Sequence, residues 1–237
     1  MKSFYFLLSA VFLLGLASCC TAKAPAKTDP TPTPQGEQSL PKVLIIGDSI
    51  SMGYTRPVVE LLKGKADVSR NPGNAQWSGY GLSKIDAWLG DTDWDVIHFN
   101  WGLWDMYGWE HKDEDRSPKA YEAILEKIVK RLKQTDATLI WATTTPACPE
   151  PEVTMRKRFD SETVIAPELE QQYLDAALRV MKRNGVAVND LHALVRPRLE
   201  ELSPKPDDVH YTAEGSKVLA KQVAEKIDAA IQTRAKQ

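Results

Sequence analysis

Short apolar runs alternate with longer amphipathic segments from Pro41 to the end of the chain, and this alternation most constrains the fold. Runs with the length and composition of buried strands lie at 43–46, 96–99, 138–141 and 186–188, with a weaker one at 66–69. Strands separated by helices form parallel sheets that helices cover on both faces. We therefore expect an α/β domain with five parallel strands.

Two of the amphipathic segments have the periodicity of surface helices. One repeats apolar residues from Tyr121 to Leu132, and the other repeats them from Leu219 to Ile231. Thr212 precedes the second segment and is the predicted N-cap. Sites in open parallel sheets form at the carboxyl ends of the strands, so the residues that follow the strands are the candidates for function.

The N-terminal segment has the composition of an export signal, with Lys2, an apolar run over 4–17 and small residues before Cys19. Its end, Leu-Ala-Ser-Cys, resembles the bacterial lipobox, which implies a signal peptide at 1–18 and a lipid on Cys19. The segment 19–40 is rich in proline and predicts a flexible tether before a domain at 41–237. We expect a lipid-anchored protein of the bacterial cell envelope that contacts the membrane through this anchor only. A plain secretory signal is the alternative.

Charge and cysteine content exclude several function classes. The net charge is −2 and no basic run is present, so we expect no nucleic-acid partner. Of the three cysteines, two are adjacent at 19 and 20, which favours neither a disulfide framework nor a zinc site.

A serine follows the first predicted strand, in the segment Gly47-Asp48-Ser49. A serine between a buried strand and a helix has its hydroxyl at the carboxyl edge of the sheet. It also lies at a helix N-terminus, where free N–H groups stabilise developing negative charge. The segment predicts a nucleophile at Ser49, with the Ser49 N–H as an oxyanion donor. A turn serine that caps the helix is the alternative.

A serine nucleophile needs a base, and the chain has four histidines. His98 lies within a strand, which favours a core residue, and His111 lies in a charged run, which favours a solvated loop. His192 follows the last strand and stays a candidate. His210 precedes the terminal helix and has Asp207 three residues upstream, where a carboxylate can orient the imidazole. We predict that Asp207 and His210 assist Ser49.

With these motifs near its two ends, the chain resembles the SGNH (GDSL-type) hydrolases over residues 42–232. The resemblance implies a three-layer α/β/α sandwich with a flavodoxin-like, five-stranded parallel sheet. It implies ester hydrolysis through an acyl-enzyme at Ser49, with no cofactor and no metal. It also implies that the backbone N–H of Gly73, in the second motif, donates to the oxyanion.

The third motif of that family, GxND, is altered here. It aligns with residues 102–105, so that Trp104 stands where the family has an oxyanion-binding Asn. Asn100 lies four residues earlier and would share a strand face with Trp104, so we expect it to supply the missing donor. Asn74, beside Gly73, and the indole N–H of Trp104 are the alternatives.

Aromatic residues concentrate around the predicted site. Trp77 lies shortly after Gly73, and Trp101 and Trp104 follow the strand at 96–99. Their rings predict platforms for a sugar, so an O-acylated, and in particular acetylated, carbohydrate is the expected ester substrate. Ordinary core packing of these rings is the alternative. Acyl transfer to sugar hydroxyls and a catalytically silent carbohydrate-binding lipoprotein are the alternative functions.

Overall fold

One parallel sheet of five strands lies at the centre of the domain. The strands are β1 (Lys42–Ile46), β2 (Asp67–Arg70), β3 (Val96–Phe99), β4 (Thr138–Ala142) and β5 (Ala187–Asn189). They are hydrogen-bonded in the order β2-β1-β3-β4-β5, with Val96 opposite Val43 on one side and Thr138 on the other. The predicted five-stranded parallel sheet is confirmed, and the strand ends agree to within one residue.

The computed structural model describes residue 1 and residues 39–148, 153–160 and 163–236. The predicted signal peptide at 1–18, the lipidation site at Cys19 and nearly all of the tether at 19–40 lie outside the described residues. Ser39–Gln237 group into one unit by their contacts. None of the helices in the described ranges is long and apolar enough to cross a membrane.

Helices connect the strands and cover both faces of the sheet. They are α1 (Ser49–Leu61), α2 (Ser78–Leu89), α3 (Leu103–Tyr107), α4 (Pro118–Leu132), α5 (Val153–Phe159), α6 (Pro167–Asn184), α7 (Leu191–Val195), α8 (Leu199–Leu202) and α9 (Ala213–Arg234). Because the chain moves in opposite directions after β1 and after β3, right-handed crossovers place α1 on one face and α4 and α6 on the other. α9 packs against α1, and α4 packs against α2 and α6. This is the predicted three-layer sandwich.

The helical faces predicted from periodicity are buried in this sandwich. α4 begins after Ser117, whose hydroxyl accepts a hydrogen bond from the Ala120 N–H at 3.1 Å. α9 begins after Thr212, the predicted N-cap, whose hydroxyl accepts from the Gly215 N–H at 3.0 Å. The buried residues include Tyr121, Leu125, Ile128, Leu132, Leu219, Val223 and Ile227.

A crevice forms where the chain changes direction between β1 and β3. In open parallel sheets this switch point, outside the carboxyl ends of the two strands, is where ligands bind. Gly47 follows β1 and Asn100 follows β3, and both line a small cavity there. The fold therefore brings the predicted nucleophile turn to the expected edge of the sheet.

Candidate active site

The turn after β1 places Ser49 next to this crevice, whose small cavity is lined by the neighbouring residues Asp48 and Ile50. A Cβ at Gly47 would lie 3.0 Å from the Ser51 side chain, so the close turn favours glycine. The Asp48 carboxylate caps α1 by accepting a hydrogen bond from the Ile50 N–H at 2.9 Å. α1 therefore begins at Ser49 itself, at the positive end of the helix dipole.

His210 reaches the Ser49 hydroxyl from the other end of the domain. Its Nε2 lies 2.9 Å from Oγ of Ser49, and its Nδ1 lies 2.8 Å from Oδ1 of Asp208. The carboxylate on the imidazole is therefore that of Asp208, which corrects the prediction of Asp207. A hydroxyl, an imidazole and a carboxylate in line can act as nucleophile, base and orienting group.

A local turn explains why Asp208 meets the ring in place of Asp207. Oδ1 of Asp208 also accepts a hydrogen bond from the backbone N–H of His210 at 2.9 Å. This Asx turn brings the carboxylate to the imidazole two residues further along the chain. Asp-Asp-Val-His offers two carboxylates, and the signal that could have selected the second is its spacing, since an Asx turn onto the His210 N–H needs an Asp two residues before it.

The surroundings of Asp208 favour its ionised form. Partial burial opposes ionisation, but hydrogen bonds from the backbone and ring of His210 and the charges of His210 and Lys205 outweigh it. Together they lower the pKa of Asp208 below its ordinary value. An ionised carboxylate at Nδ1 stabilises the imidazolium that forms when the ring accepts a proton.

Backbone N–H groups at the crevice are available to an oxyanion. In the part of the chain that the structure describes, neither the Ser49 N–H nor the Gly73 N–H donates to a protein acceptor. Gly73 has a φ of +66°, and a Cβ built on it would meet no atom within 4 Å. The backbone at Gly73 is therefore open, as a donor to a bound substrate requires.

The asparagines considered as a third donor differ in how far their side chains are already engaged. Asn100 donates through Nδ2 to the Ala142 carbonyl at 2.8 Å and to Thr144 Oγ1 at 3.3 Å. Asn74 is held through Oδ1, which accepts from the Gln76 N–H at 2.8 Å. Its Nδ2 has no acceptor among the described residues. Among the described residues the Asn74 amide nitrogen is therefore the less engaged of the two, and the donor role of Asn100, which lines the small cavity with Gly47, stays a prediction.

Solved structures of esterases and lipases share this architecture. An acetyl xylan esterase has a TM-score of 0.61 at 16% identity, over 78% of this chain and 99% of that chain. A GDSL-like lipase from Bacteroides thetaiotaomicron has a TM-score of 0.61 at 17% identity, over 80% of this chain and 88% of that chain. A lipase/acylhydrolase from Enterococcus faecalis has a TM-score of 0.62 at 16% identity, over 80% of this chain and 96% of that chain.

The chain has the SGNH-hydrolase fold. No family model matches the sequence, and no curated protein is significantly similar to it. Recognition of the fold therefore depends on the arrangement of the elements and on the short motifs they carry.

Asp105, which the resemblance aligns with the aspartate of the third SGNH motif, has a structural role in this fold. Asp105 is buried and accepts hydrogen bonds from the Ser78 N–H at 3.1 Å and the Ser78 hydroxyl at 2.5 Å, which satisfies the first residue of α2. Burial raises the pKa of Asp105 to about 6, although the hydrogen bonds from Ser78 oppose the shift. Ionisation of Asp105 therefore works against folding near neutral pH.

Burial contradicts the prediction that Trp101 and Trp104 form sugar platforms. Trp101 is 1% exposed and donates through Nε1 to the Ala75 carbonyl at 3.2 Å. Trp104 is 6% exposed and packs edge-on against Trp109. Both rings belong to the core, where they contribute apolar area. The Trp104 Nε1 has no partner among the described residues, so a role as an oxyanion donor stays a prediction.

Trp77 is half-buried and stays a candidate for substrate contact. Its ring stacks on that of His111 at 4.3 Å, with 6° between the planes. His111 is buried, contrary to the expected solvated loop, and its Nδ1 lies 2.8 Å from the Trp109 carbonyl oxygen. Stacking on Trp77 explains why a histidine in a charged run leaves the solvent.

The other histidines are engaged away from Ser49. His98 is in the core as predicted, where burial lowers its pKa to about 3. His192 lies with its Nε2 2.5 Å from a Glu170 oxygen, which also binds Arg196 at 3.2 Å. No group of three His, Cys, Asp or Glu side chains in the described ranges could hold a metal ion.

Proposed function

We propose that the chain is a serine ester hydrolase that works through an acyl-enzyme. The observation that carries this proposal is the line of contacts from Asp208 through His210 to Ser49, at 2.8 and 2.9 Å. The position of Ser49 at the N-terminus of α1 supports it, because the charge that develops in acyl transfer is negative.

In the first half-reaction, Ser49 Oγ attacks the ester carbonyl carbon while Nε2 of His210 takes the hydroxyl proton. The tetrahedral oxyanion collapses as the ester C–O bond breaks, and His210 gives the proton to the departing alkoxide. In the second half-reaction, His210 takes a proton from the attacking water and returns it to Ser49 as the acid leaves. Asp208 stays ionised and stabilises the imidazolium in both steps.

The oxyanion is bound by the N–H groups of Ser49 and Gly73 and by one side chain. Asn74 is the side chain that the hydrogen bonds favour, since its Oδ1 is anchored while its Nδ2 has no acceptor among the described residues. One such donor contributes about 10²–10³ in kcat.

The proposed substrate is an O-acetylated carbohydrate. An acetyl xylan esterase shares the fold, and Trp77 offers an aromatic side chain near Gly73. Hydrolysis of acetylated glycans and of short nitrophenyl esters in preference to long acyl esters is the expected result. A preference for long acyl chains would favour a lipase. Acetylation of an added acceptor sugar, in place of acetate release, would make the chain an acyltransferase.

The test of the reaction class uses a fluorophosphonate probe together with the ester panel. The wild-type chain is expected to be labelled, and Ser49→Ala to lose both the label and about 10⁴–10⁶ in kcat. Ser83→Ala, on the exposed surface of α2, is the matched control and keeps both. A folded wild-type chain that takes no label and hydrolyses no ester would favour the silent carbohydrate binder.

The proposed location is the bacterial cell envelope, with lipid on Cys19. Cys19→Ala is expected to accumulate as an unprocessed or soluble form, whereas Cys20→Ala fractionates with membranes like the wild type. A Cys19→Ala chain that migrates and fractionates normally would leave a plain secretory signal.

A further inference from the structure

One arginine side chain is bound both to the turn that follows β1 and to the loop that follows β2. It is Arg70, the last residue of β2, and it is half-buried. All five of its N–H groups have protein acceptors, which are neutral. The acceptors are the carbonyls of Asn71 (2.8 Å), Gly73 (2.6 Å), Gly47 (2.8 Å) and Asp48 (3.1 Å) and the hydroxyl of Ser51 (3.0 Å).

The bond to the Asp48 carbonyl bears directly on the Ser49 N–H, because the two groups belong to one planar peptide. In a trans peptide the C=O and the N–H point in opposite directions. The same carbonyl accepts from the Ser51 hydroxyl at 2.7 Å and from the Met52 N–H at 3.3 Å, so Arg70 acts with them to fix the direction in which the Ser49 N–H points. A cation on the carbonyl also polarises the peptide and strengthens its N–H as a donor.

The Gly73 N–H is fixed from the same side. Arg70 holds the carbonyls of Asn71 and Gly73, on either side of the peptide that carries this N–H. The Asn71 side chain accepts from the Gly47 N–H at 3.0 Å, and its Nδ2 lies 3.4 Å from the Pro72 carbonyl oxygen. The loop that offers the Gly73 N–H is thus tied to the turn that offers the Ser49 N–H.

We infer that Arg70 is a positioning residue for the oxyanion site. Its guanidinium aligns the two backbone donors and polarises the one at Ser49 without touching the substrate, and its action is expressed when charge develops on the ester oxygen. The inference rests on the proposed ester hydrolysis. It assigns a role to a side chain that no sequence motif marks.

The experiment measures kcat and KM for acetyl ester hydrolysis by full-length Arg70→Met and Arg70→Lys. Arg70→Met is expected to lower kcat about 10²-fold and to leave KM within about threefold, as for loss of a transition-state donor. Arg70→Lys keeps a positive charge but has only three donors, all on one ammonium, so its kcat is expected to lie between those of the wild type and Arg70→Met. Arg131→Met is the matched control, because Arg131 pairs with Asp86 on the surface. This variant is expected to keep the wild-type kcat.

Chemical rescue separates positioning from support of the fold. Added methylguanidine is expected to restore part of the kcat of Arg70→Ala, with no effect on Arg131→Met. Three results for the Arg70 variants would each overturn the inference. They are a kcat within threefold of wild type, a change confined to KM, and a loss of kcat that parallels a loss of melting temperature and is not rescued by methylguanidine. Ser49-dependent turnover unchanged in Arg70→Met overturns this inference alone. Absence of turnover and of fluorophosphonate labelling in the folded wild type overturns the proposed function with it.

Discussion

The two sides of the candidate site are held by contacts of different range. On the nucleophile side, residues 47–51 and 70–74, the Gly47 N–H bonds to the Asn71 side chain 24 residues away. On the base side, residues 203–212, the bonds are local: the Ser203 hydroxyl donates to the Asp208 carbonyl at 2.9 Å, and the Asp208 carboxylate binds His210. Long-range hydrogen bonds therefore hold the nucleophile side together, whereas the base side is a loop with mainly local hydrogen bonds, anchored by buried Val209 and by the contact of His210 with Ser49.

This difference predicts how the two sides respond to substitution. Asp48, Ser51 and Asn71 are buried, so changes around them disturb packing and chemistry together. The side chains of His210 and Asp208 are 40% and 20% exposed, so changes of these two side chains alter chemistry with little effect on unfolding.

The largest expected effect is on the base side. His210→Ala is expected to lower kcat by about 10⁴–10⁶ and Asp208→Asn by about 10⁴, because the base and the group that orients it are lost. Both variants are expected to unfold at nearly the wild-type temperature. Asp207→Asn, one residue away, is the control and stays within about threefold in kcat. A larger loss for Asp207→Asn than for Asp208→Asn would show that the observed Asx turn is not the active arrangement.

The next effect separates the two asparagines. Asn74→Ala is expected to lower kcat about 10²–10³-fold at unchanged KM, since an oxyanion donor acts in the transition state. Asn100→Ala is expected to lower the free energy of unfolding by about 1 kcal/mol, because it removes the bond to Ala142 between β3 and β4. Kinetics and urea unfolding of the pair measure both effects.

If kcat falls about 10²–10³-fold in Asn100→Ala and not in Asn74→Ala, Asn100 is the oxyanion donor. Trp104→Phe keeps most of the ring and removes the indole N–H. A hundredfold kinetic loss in that variant alone would assign the donor to Trp104.

A smaller effect concerns Asp105, which lies beside the nucleophile side and titrates. Its pKa rises from 3.8 to about 6 on folding, so the folded state binds the proton more tightly than the unfolded chain. The stability that this proton confers is present below pH 3.8 and is lost as the pH rises through about 6. Asp105→Asn is expected to remove this loss, worth about 2–3 kcal/mol between about pH 4 and pH 7. The measurement is the free energy of urea unfolding as a function of pH for the wild type and Asp105→Asn. If the two curves run parallel, Asp105 does not cause the loss of stability.

The smallest expected effect tests whether local hydrogen bonds within residues 203–212 stabilise the base side. Ser203→Ala removes one hydrogen bond within the loop, so about 1 kcal/mol of stability and less than tenfold in kcat are expected to be lost. Ser83→Ala, which removes a comparable local bond on α2, provides the control for stability and keeps wild-type kcat. A kcat loss of a hundredfold in Ser203→Ala would mean that the base side depends on a single contact.

The elements of the fold could be predicted because their signals are local. Buried parallel strands are continuous apolar runs, and helices on the sheet repeat apolar residues with a period near 3.6. Thr212 could be identified as a cap because its side chain bonds three residues along the chain. Ser49 and His210 could be identified because each follows or precedes such an element at the carboxyl edge of the sheet.

The tertiary structure decided which polar groups meet and which rings reach solvent. The choice of Asp208 over Asp207 depends on the turn before α9, and the burial of Trp101 and Trp104 depends on packing between segments far apart in the chain. Arg70 shows the same limit, since two of its acceptors, at Gly47 and Asp48, lie more than twenty residues before it and are backbone carbonyls that every residue has. Periodicity and spacing encode the elements of this protein, but long-range packing selects the partners within its site.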